Sequence, residues 1–347
     1  MRTPPIPIRP RGHGRHGGGA GGGDLLDQLQ SRVIGQPQAM TEIVPYVRMH
    51  RAGLAPEGRP VGVFLLLGPT GTGKTRTVEA LADALHGNER HMLKIDCGEF
   101  QMEHEVAKLI GAPPGYLGHR ETQPLITQQK LNAVTSECSN LSLLLFDEIE
   151  KAAPSMNRML LSVLDKATLR LGDNTSVNFE RTMIFLTSNL GAESMRQQLL
   201  PDFGFEGMSP RAAERASLSK LQNIGWGAVK RRFSPEFINR IDAVITYQPL
   251  DDAAMEVILD QQLSALERHI NDRLDDAAFD VELTRHARTL LLTRGTSLEY
   301  GARELKRTIL RLITQPLAAM VEQNRVPPGC TVLVDRSGDT LTLEVDD

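Results

Sequence analysis

The sequence predicts an α/β fold, with a doubly wound parallel sheet in a large domain followed by a smaller α+β domain. Short apolar runs typical of buried strands alternate with helical or loop segments up to about residue 248. Beyond that point, helical patterns are followed by two strand-like stretches. The length of 347 residues is enough for two domains, which we place at residues 24–248 and 249–347.

The spacing of apolar residues predicts the elements in order. Helices are expected up to residue 34 and over 39–47, and a continuous apolar run at 61–67 predicts the first buried strand. A helix is expected from Lys74, and further buried strands at 92–95, 143–146 and 182–186. In the small domain we expect helices over 255–274, around 286–292 and over 302–321, then strands at 331–334 and 341–345.

Residues 1–23 form a basic tail with four arginines, no acidic residue and eight glycines, which is typical of a disordered leader. The tail could also tether an acidic partner or nucleic acid, or mark a misassigned start. From the total charge of −4, removing these four positive charges leaves −8 for residues 24–347, which argues against a nucleic-acid binder. No apolar run is long enough to span a membrane, and three scattered cysteines indicate a reducing compartment, so we expect a cytoplasmic protein.

A phosphate-binding loop is predicted between the first strand and the helix after it. The sequence there matches G-x-x-x-x-G-K-[ST], with Gly68, Pro69, Thr70, Gly71, Thr72, Gly73, Lys74 and Thr75. Glycines let backbone N–H groups approach phosphate oxygens, the lysine neutralises β- and γ-phosphate charge, and the threonine hydroxyl can bind Mg²⁺. The loop therefore predicts a nucleoside triphosphate site.

Two adjacent acidic residues end the strand at 143–146. Asp147 and Glu148 lie at the strand tip, where successive side chains point to opposite sides. Asp147 can then hold the water shell of a metal ion, while Glu148 faces the γ-phosphate as a general base for water. The pair favours hydrolysis over simple binding, because a receptor needs the metal ligand but no base.

Together with the phosphate loop, the segments 147–151, 187–191, 237–242 and 301–303 occur in an order that resembles the C-terminal ATPase ring of Clp-type AAA+ protein unfoldases. The resemblance covers the chain from about residue 33 onward. It implies a P-loop AAA+ large domain with a Clp-type small domain, ATP and Mg²⁺ as ligands, and a hexameric homo-oligomer.

The resemblance also implies a role for each matching residue. Lys74 and Thr75 contact the phosphates and the metal, Asp147 is the metal ligand and Glu148 the catalytic base. By the same resemblance, Ile34 and Gly35 flank the adenine and Asn189 is sensor 1. Arg240 is the arginine finger offered to the neighbouring subunit, and Arg303 is sensor 2.

The expectation about the substrate rests on a tyrosine that is flanked by glycines. Tyr116 and Leu117 stand between Gly115 and Gly118, where a ring cannot be buried by its own loop. The segment resembles the family's pore loop, whose aromatic residue grips an extended polypeptide. The alternative is a tyrosine folded against its own domain.

The chain departs from the family pattern in several places. It shows no N-terminal adaptor domain, second ATPase ring or coiled-coil insert, so we expect substrates to arrive by direct pore engagement, a partner or the basic tail. The segment 165–179 differs from the family's acidic, Gly-rich loop and predicts a changed lower pore loop. The segment Phe203, Gly204 and Phe205 corresponds to an aliphatic-Gly-Phe tripeptide that docks on a peptidase ring in the family; its last two residues match and Phe203 does not. Docking to a ClpP-like peptidase and packing onto the large domain both stay open.

We therefore expect an ATP-hydrolysing unfoldase that threads polypeptides through a ring pore, with neither a membrane nor a nucleic-acid partner. The alternative is a dedicated AAA+ remodelling ATPase that acts on one complex without threading it.

Overall fold

The computed structural model of the protein describes residues 24–111, 124–199, 210–274, 278–297 and 301–346. The chain divides into two compact units, one at Leu25–Leu250 and the other comprising the residues from Asp251 onward. In the described part of the chain, no helix is both long and apolar enough to cross a bilayer.

A five-stranded parallel sheet forms the centre of the first unit. Its strand order is β2-β3-β6-β1-β7, and all four pairings are parallel. The strands are β1 Gly62–Leu67, β2 Leu93–Asp96, β3 Ser142–Asp147, β6 Thr182–Ser188 and β7 Ala243–Thr246. The α/β prediction is confirmed, and the four strands expected from apolar runs are present. The expectation that all four are buried is wrong for β2, which lies at the edge of the sheet and buries only Ile95. In this sheet, β7 is the one strand that was not expected. It has four residues, of which only Ile245 is buried.

Both faces of the sheet are covered, because the side chains of each central strand alternate between two hydrophobic clusters. Val63, Leu65 and Leu67 of β1 join one cluster, and Phe64 and Leu66 join the other. The helices of this unit are α1 Leu25–Arg32, α2 Pro37–Arg51, α3 Lys74–His86, α4 Ala107–Ile110, α5 Gln128–Ala133, α6 Pro154–Lys166, α7 Ala192–Leu199, α8 Pro210–Arg232 and α9 Pro235–Ile238.

Parallel pairing brings the carboxyl ends of the strands to one edge of the sheet. Asp96 at the end of β2 pairs with Asp147 at the end of β3. Leu67 at the end of β1 likewise pairs with Ser188 at the end of β6. Ligands of open α/β sheets bind along this edge. The loops that leave β1, β3 and β6 are therefore neighbours there.

The segment 165–179 contains a short antiparallel hairpin of β4 Thr168–Arg170 and β5 Ser176–Asn178. Leu169 and Val177 are paired across it and are buried in the large hydrophobic cluster. The hairpin is therefore anchored to the core by one apolar pair.

The second unit is the smaller α+β structure that the sequence predicts. β9 Thr331–Ser337 lies between β8 Asp280–Leu283, which is parallel to it, and β10 Thr340–Asp346, which is antiparallel. Its helices are α10 Asp252–Leu274, α11 Arg285–Gly295, α12 Ala302–Ile309 and α13 Gln315–Glu322. Strand β8 was not expected, since four alternating residues are too few to reveal a period of two.

The single helix expected over 302–321 is wrong, because a π-helical turn at Leu310–Thr314 separates α12 from α13. Pro316 explains the interruption. It has no N–H to donate to the carbonyl of Leu312, and its ring crowds that carbonyl. A wider turn relieves the crowding without ending the helical path.

Candidate functional site

The phosphate loop, residues 68–73, joins β1 to α3. Gly73 precedes the helix with a φ of 104°, a conformation that favours glycine. Lys74 is the first residue of α3 and is only 8% exposed. Its Nζ donates to the carbonyl oxygens of Gly68, at 2.6 Å, and Pro69, at 2.8 Å. The ammonium group therefore lies folded against the loop in which the sequence predicts bound phosphates.

The rest of the loop is closed by a local hydrogen bond. The Thr72 hydroxyl, which is buried, donates to the carbonyl of Pro69 at 2.9 Å. Thr70, Gly71 and Thr75 are partly exposed, and Thr75 follows the lysine in the first turn of α3. The threonine hydroxyl that is predicted to bind a metal ion therefore stands at the N-terminus of a helix, where the helix dipole also favours phosphate.

Gly68 starts the loop at a point where a side chain has no room. Its φ is 147°, and a Cβ there would lie 2.7 Å from the carbonyl oxygen of Tyr247. Tyr247 follows β7 and is fully buried, and its backbone N–H donates to the carbonyl of Leu67 at 2.6 Å. Its hydroxyl lies 2.7 Å from the Oγ1 of Thr77 in α3. One residue after an edge strand therefore contacts both the start of the phosphate loop and the helix that follows it.

The two acidic residues lie where β3 ends, as predicted. Asp147 is the last residue of the strand, and Glu148 has a φ of 57°, which turns the chain sharply away from the sheet. The Thr187 hydroxyl donates to Oδ1 of Asp147 and accepts the backbone N–H of Glu148 at 3.0 Å. Lys94 of β2 pairs with Oδ2 of Asp147 at 2.7 Å. Neighbouring strands on both sides of β3 thus fix the aspartate.

Asn189 connects the phosphate loop to the acidic pair. Its Oδ1 accepts from Nζ of Lys74 at 2.9 Å, and its Nδ2 donates to Oε1 of Glu148 at 3.1 Å. Its backbone N–H donates to Oε1 of Glu150 at 3.0 Å. The residue follows β6, the strand between β1 and β3, so sheet order alone places its amide between the other two groups. Lys74, Glu148 and Asn189 form one continuous chain of polar contacts.

A second cation lies beside Glu148. The short turn Ile149–Lys151 brings Nζ of Lys151 to 2.5 Å from Oε2 of Glu148. The hydrogen bond to Glu148 raises the pKa of Lys151, and the negative charges of Glu150 and Asp96 act in the same direction. The lysine is therefore charged, and both oxygens of the Glu148 carboxylate have polar partners.

The segment predicted to flank adenine lies between α1 and α2. Gly35 has a φ of 77°, and Ile34 is partly buried. Gln36 is 4% exposed, and its Nε2 donates to the carbonyls of Thr72, at 3.1 Å, and Gln248, at 2.8 Å. Its Oε1 accepts the backbone N–H of Gln248 at 3.1 Å. The segment is therefore tied to the phosphate loop by a buried side-chain amide.

Arg240 lies away from this group of contacts. It forms ion pairs with Asp165 and Glu236, at 3.4 Å each, and also donates to the carbonyl of Glu236 at 2.8 Å. Among the described residues, these partners are in α6 and α9 and not in the phosphate loop. Arg303 belongs to the second unit, where it is exposed in the first turn of α12. The remaining site predictions, Tyr116, Leu117, Phe203, Gly204 and Phe205, lie outside the described residues.

The oxygen donors at the sheet edge suit Mg²⁺. Within the described ranges, no group of three or more His, Cys, Asp or Glu side chains is arranged to hold a metal ion by itself. A single carboxylate with a nearby hydroxyl matches the way Mg²⁺ is bound together with substrate phosphates. Asp147 and Thr75 offer such hard oxygen ligands.

Sequence reasoning did not foresee the contacts of four residues that shape this site, although Gln36 belongs to the adenine-flanking segment and Thr187 begins the segment 187–191. Thr187 and Lys94 hold the aspartate, and Gln36 and Tyr247 hold the phosphate loop. Thr187 had a detectable signal, since it is a polar residue ending a buried apolar run next to Asn189. For the others the partner comes from a distant part of the chain, so spacing along the sequence carries no trace of the contact.

Comparisons with known proteins agree with this geometry. Residues 59–244 match the family model described as AAA domain (Cdc48 subfamily), and residues 250–334 match the C-terminal D2-small domain of ClpB protein. The chaperone protein ClpB of Meiothermus ruber is 37% identical over 320 residues, covering 92% of this chain and 35% of that protein. The ATP-dependent Clp protease ATP-binding subunit ClpC of Staphylococcus saprophyticus is 34% identical, covering 93% of this chain and 37% of that protein.

Solved structures of Hsp104 are similar to this chain as well. A closed state of Hsp104 with ATPγS and FITC casein superposes with a TM-score of 0.76 at 31% identity, covering 92% of this chain and 51% of that one. The extended conformation of the Saccharomyces cerevisiae Hsp104:casein complex gives a TM-score of 0.78 at 30% identity, covering 93% and 52%. The chain spans about a third of the length of the curated relatives and about half of these Hsp104 chains.

A phosphate loop, a buried lysine and an acidic strand end linked by one asparagine lie on a parallel sheet, and a ClpB-type small domain follows in the sequence. The relatives matched over nearly the whole chain carry Clp names. The chain therefore belongs to the nucleotide-binding AAA domain (Cdc48 subfamily) family, within its Clp branch.

Proposed function

We propose that the protein is an ATP-hydrolysing Clp-type unfoldase that threads polypeptides through the pore of a hexameric ring. The observation that supports it most directly is the Asn189 bridge between Nζ of Lys74 and Oε1 of Glu148. A protein that only binds nucleotide has no need for a carboxylate connected to its phosphate-binding lysine. A hydrolase does, because attacking water must be oriented relative to the γ-phosphate.

In the proposed reaction, water adds to the γ-phosphorus of ATP as the bond to the β–γ bridging oxygen breaks. Glu148 accepts a proton from that water, and Asn189 orients the water molecule. Lys74 and the loop N–H groups bind the phosphate oxygens. Mg²⁺ neutralises phosphate charge when bound, and Thr75 and Asp147 are the residues that would hold it. Ile34 and Gly35 flank the adenine.

Two arginines complete the proposed site. Arg240 acts on the γ-phosphate in the neighbouring subunit, and Arg303 belongs to the small domain and senses the nucleotide. Arginine stabilises the charge of the transferring phosphoryl group, an effect of about 10³–10⁵ in rate in other phosphoryl-transfer enzymes. We assign residues 24–248 to the ATPase domain and 249–347 to the small domain, and we expect the protein to act in the cytoplasm.

The proposed substrates are polypeptides, gripped by Tyr116 and Leu117 in the ring pore. Support comes from the casein in both Hsp104 complexes that this chain resembles. A ClpP-like peptidase is a further proposed partner and depends on Phe203, Gly204 and Phe205. Retention of the chain on an immobilised peptidase ring, and its loss in Phe205→Ala, would test that contact.

One assay tests the whole proposal: ATP-dependent loss of fluorescence from a fluorescent protein carrying an unstructured tag, with ATP hydrolysis measured in parallel. Glu148→Gln should bind ATP but neither hydrolyse it nor unfold the substrate, because the amide cannot take the proton. Glu99→Gln, which changes an exposed acid on a nearby turn, is the matched control and should behave like the parent.

Tyr116→Ala in the same assay separates threading from hydrolysis. It should hydrolyse ATP and leave the substrate folded, while Tyr116→Phe, which keeps the ring, should retain most unfolding. Hydrolysis without unfolding by the parent would instead support a dedicated remodelling ATPase. Hydrolysis at the parental rate by Glu148→Gln would remove that residue from the role of base.

A further inference from the structure

The two residues that follow β7 are attached to the phosphate loop at several points. The backbone N–H of Tyr247 bonds to Leu67, and its carbonyl oxygen and Cβ lie so close to Gly68 that only glycine fits there. Its hydroxyl bonds to Thr77, whose own hydroxyl donates to the carbonyl of Gly73 at 3.1 Å. The tyrosine therefore contacts the start of the loop and, through one threonine, its end.

Gln248 is attached to the loop at Thr72 by a different route. Both ends of the Gln36 amide bond to its backbone, and the same Nε2 donates to the carbonyl of Thr72. Gln36 and Thr72 are 4% and 3% exposed, so water cannot easily replace these bonds. Breaking a buried hydrogen bond leaves unpaired polar atoms at a considerable cost. A displacement of the loop at Thr72 should therefore also displace Gln248.

Gln248 also occupies a particular place along the chain. Only two residues separate it from Asp251, where the second compact unit begins. The segment 247–250 is thus bonded to the phosphate loop through its first two residues and leads along the chain into the second unit.

We propose that Gln36 and Tyr247 are positioning residues that couple the phosphate loop to segment 247–250, so that nucleotide binding is transmitted to the chain leading into the second unit. The inference rests on the proposed function only in taking residues 68–75 as the ATP site. Coupling of this kind is reciprocal. If bound nucleotide stabilises the link, breaking the link must weaken nucleotide binding by the same factor.

The test compares two identical substitutions two residues apart. Gln36→Met keeps the length and volume of the side chain but removes all three hydrogen bonds. Gln38→Met is the control, because Gln38 is exposed and is the second residue of α2, the helix that begins directly after Gln36. We expect Gln36→Met to weaken ADP binding about fivefold, the effect of one neutral hydrogen bond, because only the bond to the Thr72 carbonyl joins Gln36 to the loop. KM for ATP should rise by a similar factor with kcat within about twofold, and Gln38→Met should match the parent.

Hydrogen exchange supplies a readout that a merely structural role would not change. Adding ADP to the parent and to Gln38→Met should slow exchange in a peptide covering residues 247–252. In Gln36→Met that slowing should be lost although the unliganded variant remains folded by circular dichroism. Tyr247→Phe removes one hydroxyl from a fully buried ring, and should reduce the slowing without unfolding the chain.

The possible results separate this inference from the proposed function. Equal slowing in the parent and in both coupling variants would overturn the coupling and leave the ATP site intact. No binding of ADP or ATP by the parent would overturn the proposed ATP site, and the coupling with it.

Discussion

Gly68 shows how a glycine in a motif can be required by the fold as well as by the ligand. The motif explains glycine by the need for backbone to approach phosphate. In this chain the position is also closed from the other side, because Tyr247 occupies the space a Cβ would take. The residue therefore serves both the nucleotide site and the packing of β7.

We predict that Gly68→Ala destabilises the protein more than an alanine at another glycine of positive φ. Gly87, after α3, has a φ of 72° and nothing within 4 Å of the added Cβ, so it isolates the backbone cost. Gly87→Ala should cost about 1 kcal/mol, whereas Gly68→Ala should cost more than about 3 kcal/mol, because overpacking adds to the strain. Chemical denaturation measures both values, and equal losses would contradict the steric argument.

At the scale of elements, the ends of β3 and β6 show why the acidic pair is well ordered. The two strands are joined by a side-chain hydrogen bond at each end. Ser142 and Thr182 bond at the amino ends at 2.8 Å, and Thr187 bonds to Asp147 at the carboxyl ends. Only the second bond involves predicted site residues.

We predict that Thr187→Val lowers kcat for ATP hydrolysis at least about tenfold, because Oδ1 of Asp147 and the backbone N–H of Glu148 both lose their partner. Thr182→Val is the matched control, since it makes the same change in the same strand at the opposite end. Both variants should lose similar stability, about 1 kcal/mol, in thermal melts. A comparable fall in kcat for Thr182→Val would show that the effect is one of strand packing.

Elements with strong local signals could be predicted from the sequence. The apolar runs at 61–67, 143–146 and 182–186 are buried strands of the sheet, because strands covered on both faces are apolar throughout. The run at 92–95 is also a strand, β2, but it lies at the edge of the sheet and only Ile95 of it is buried. β7 and β8 were not predicted. Each is a four-residue strand at the edge of its sheet, paired only with β1 or β9, and that pairing comes from a distant part of the chain. The π-helical turn before Pro316 could not be predicted either, because the spacing of apolar residues stays helical through it.

The same distinction holds for the site. Lys74, Asp147, Glu148 and Asn189 were named in advance because each belongs to a motif a few residues long. The structure brings Lys74, Asn189 and Glu148 into contact, and Asp147 directly precedes Glu148 at the end of β3. The contacts that hold them could not be predicted. Gln36 and Gln248 are 212 positions apart, and Thr187 and Asp147 are 40 apart. The roles assigned to Arg240, Arg303 and Tyr116 stay predictions.

For the whole molecule, the position of Arg240 bears on assembly. Its partners are Asp165 and Glu236, and its contacts within the described chain do not include the phosphate loop. The proposed finger role therefore requires a site formed by two copies of the chain, one supplying Glu148 and the other Arg240.

We predict that Arg240→Ala and Glu148→Gln, each inactive alone, recover ATP hydrolysis when mixed. In mixed rings, an Arg240→Ala subunit beside a Glu148→Gln subunit has an intact base and an intact finger, which random mixing gives at about a quarter of the sites. A mixture of Glu148→Gln with Lys74→Met is the control and should stay inactive, because both changes affect the same half of the site. No recovery in the first mixture would place the arginine outside the shared site.

The order of strands in the sheet also has a consequence for how the protein is made. β1 leaves the ribosome early, yet its neighbours on the sheet are β6 and β7, which begin at residues 182 and 243. At about 5–20 residues per second, β1 waits on the order of ten seconds or longer before both of its edges are covered. During that time a fully apolar strand is available for wrong pairings. The phosphate loop at its end is completed only when Tyr247 is in place, so a nascent chain that has not yet reached Tyr247 lacks a finished nucleotide site.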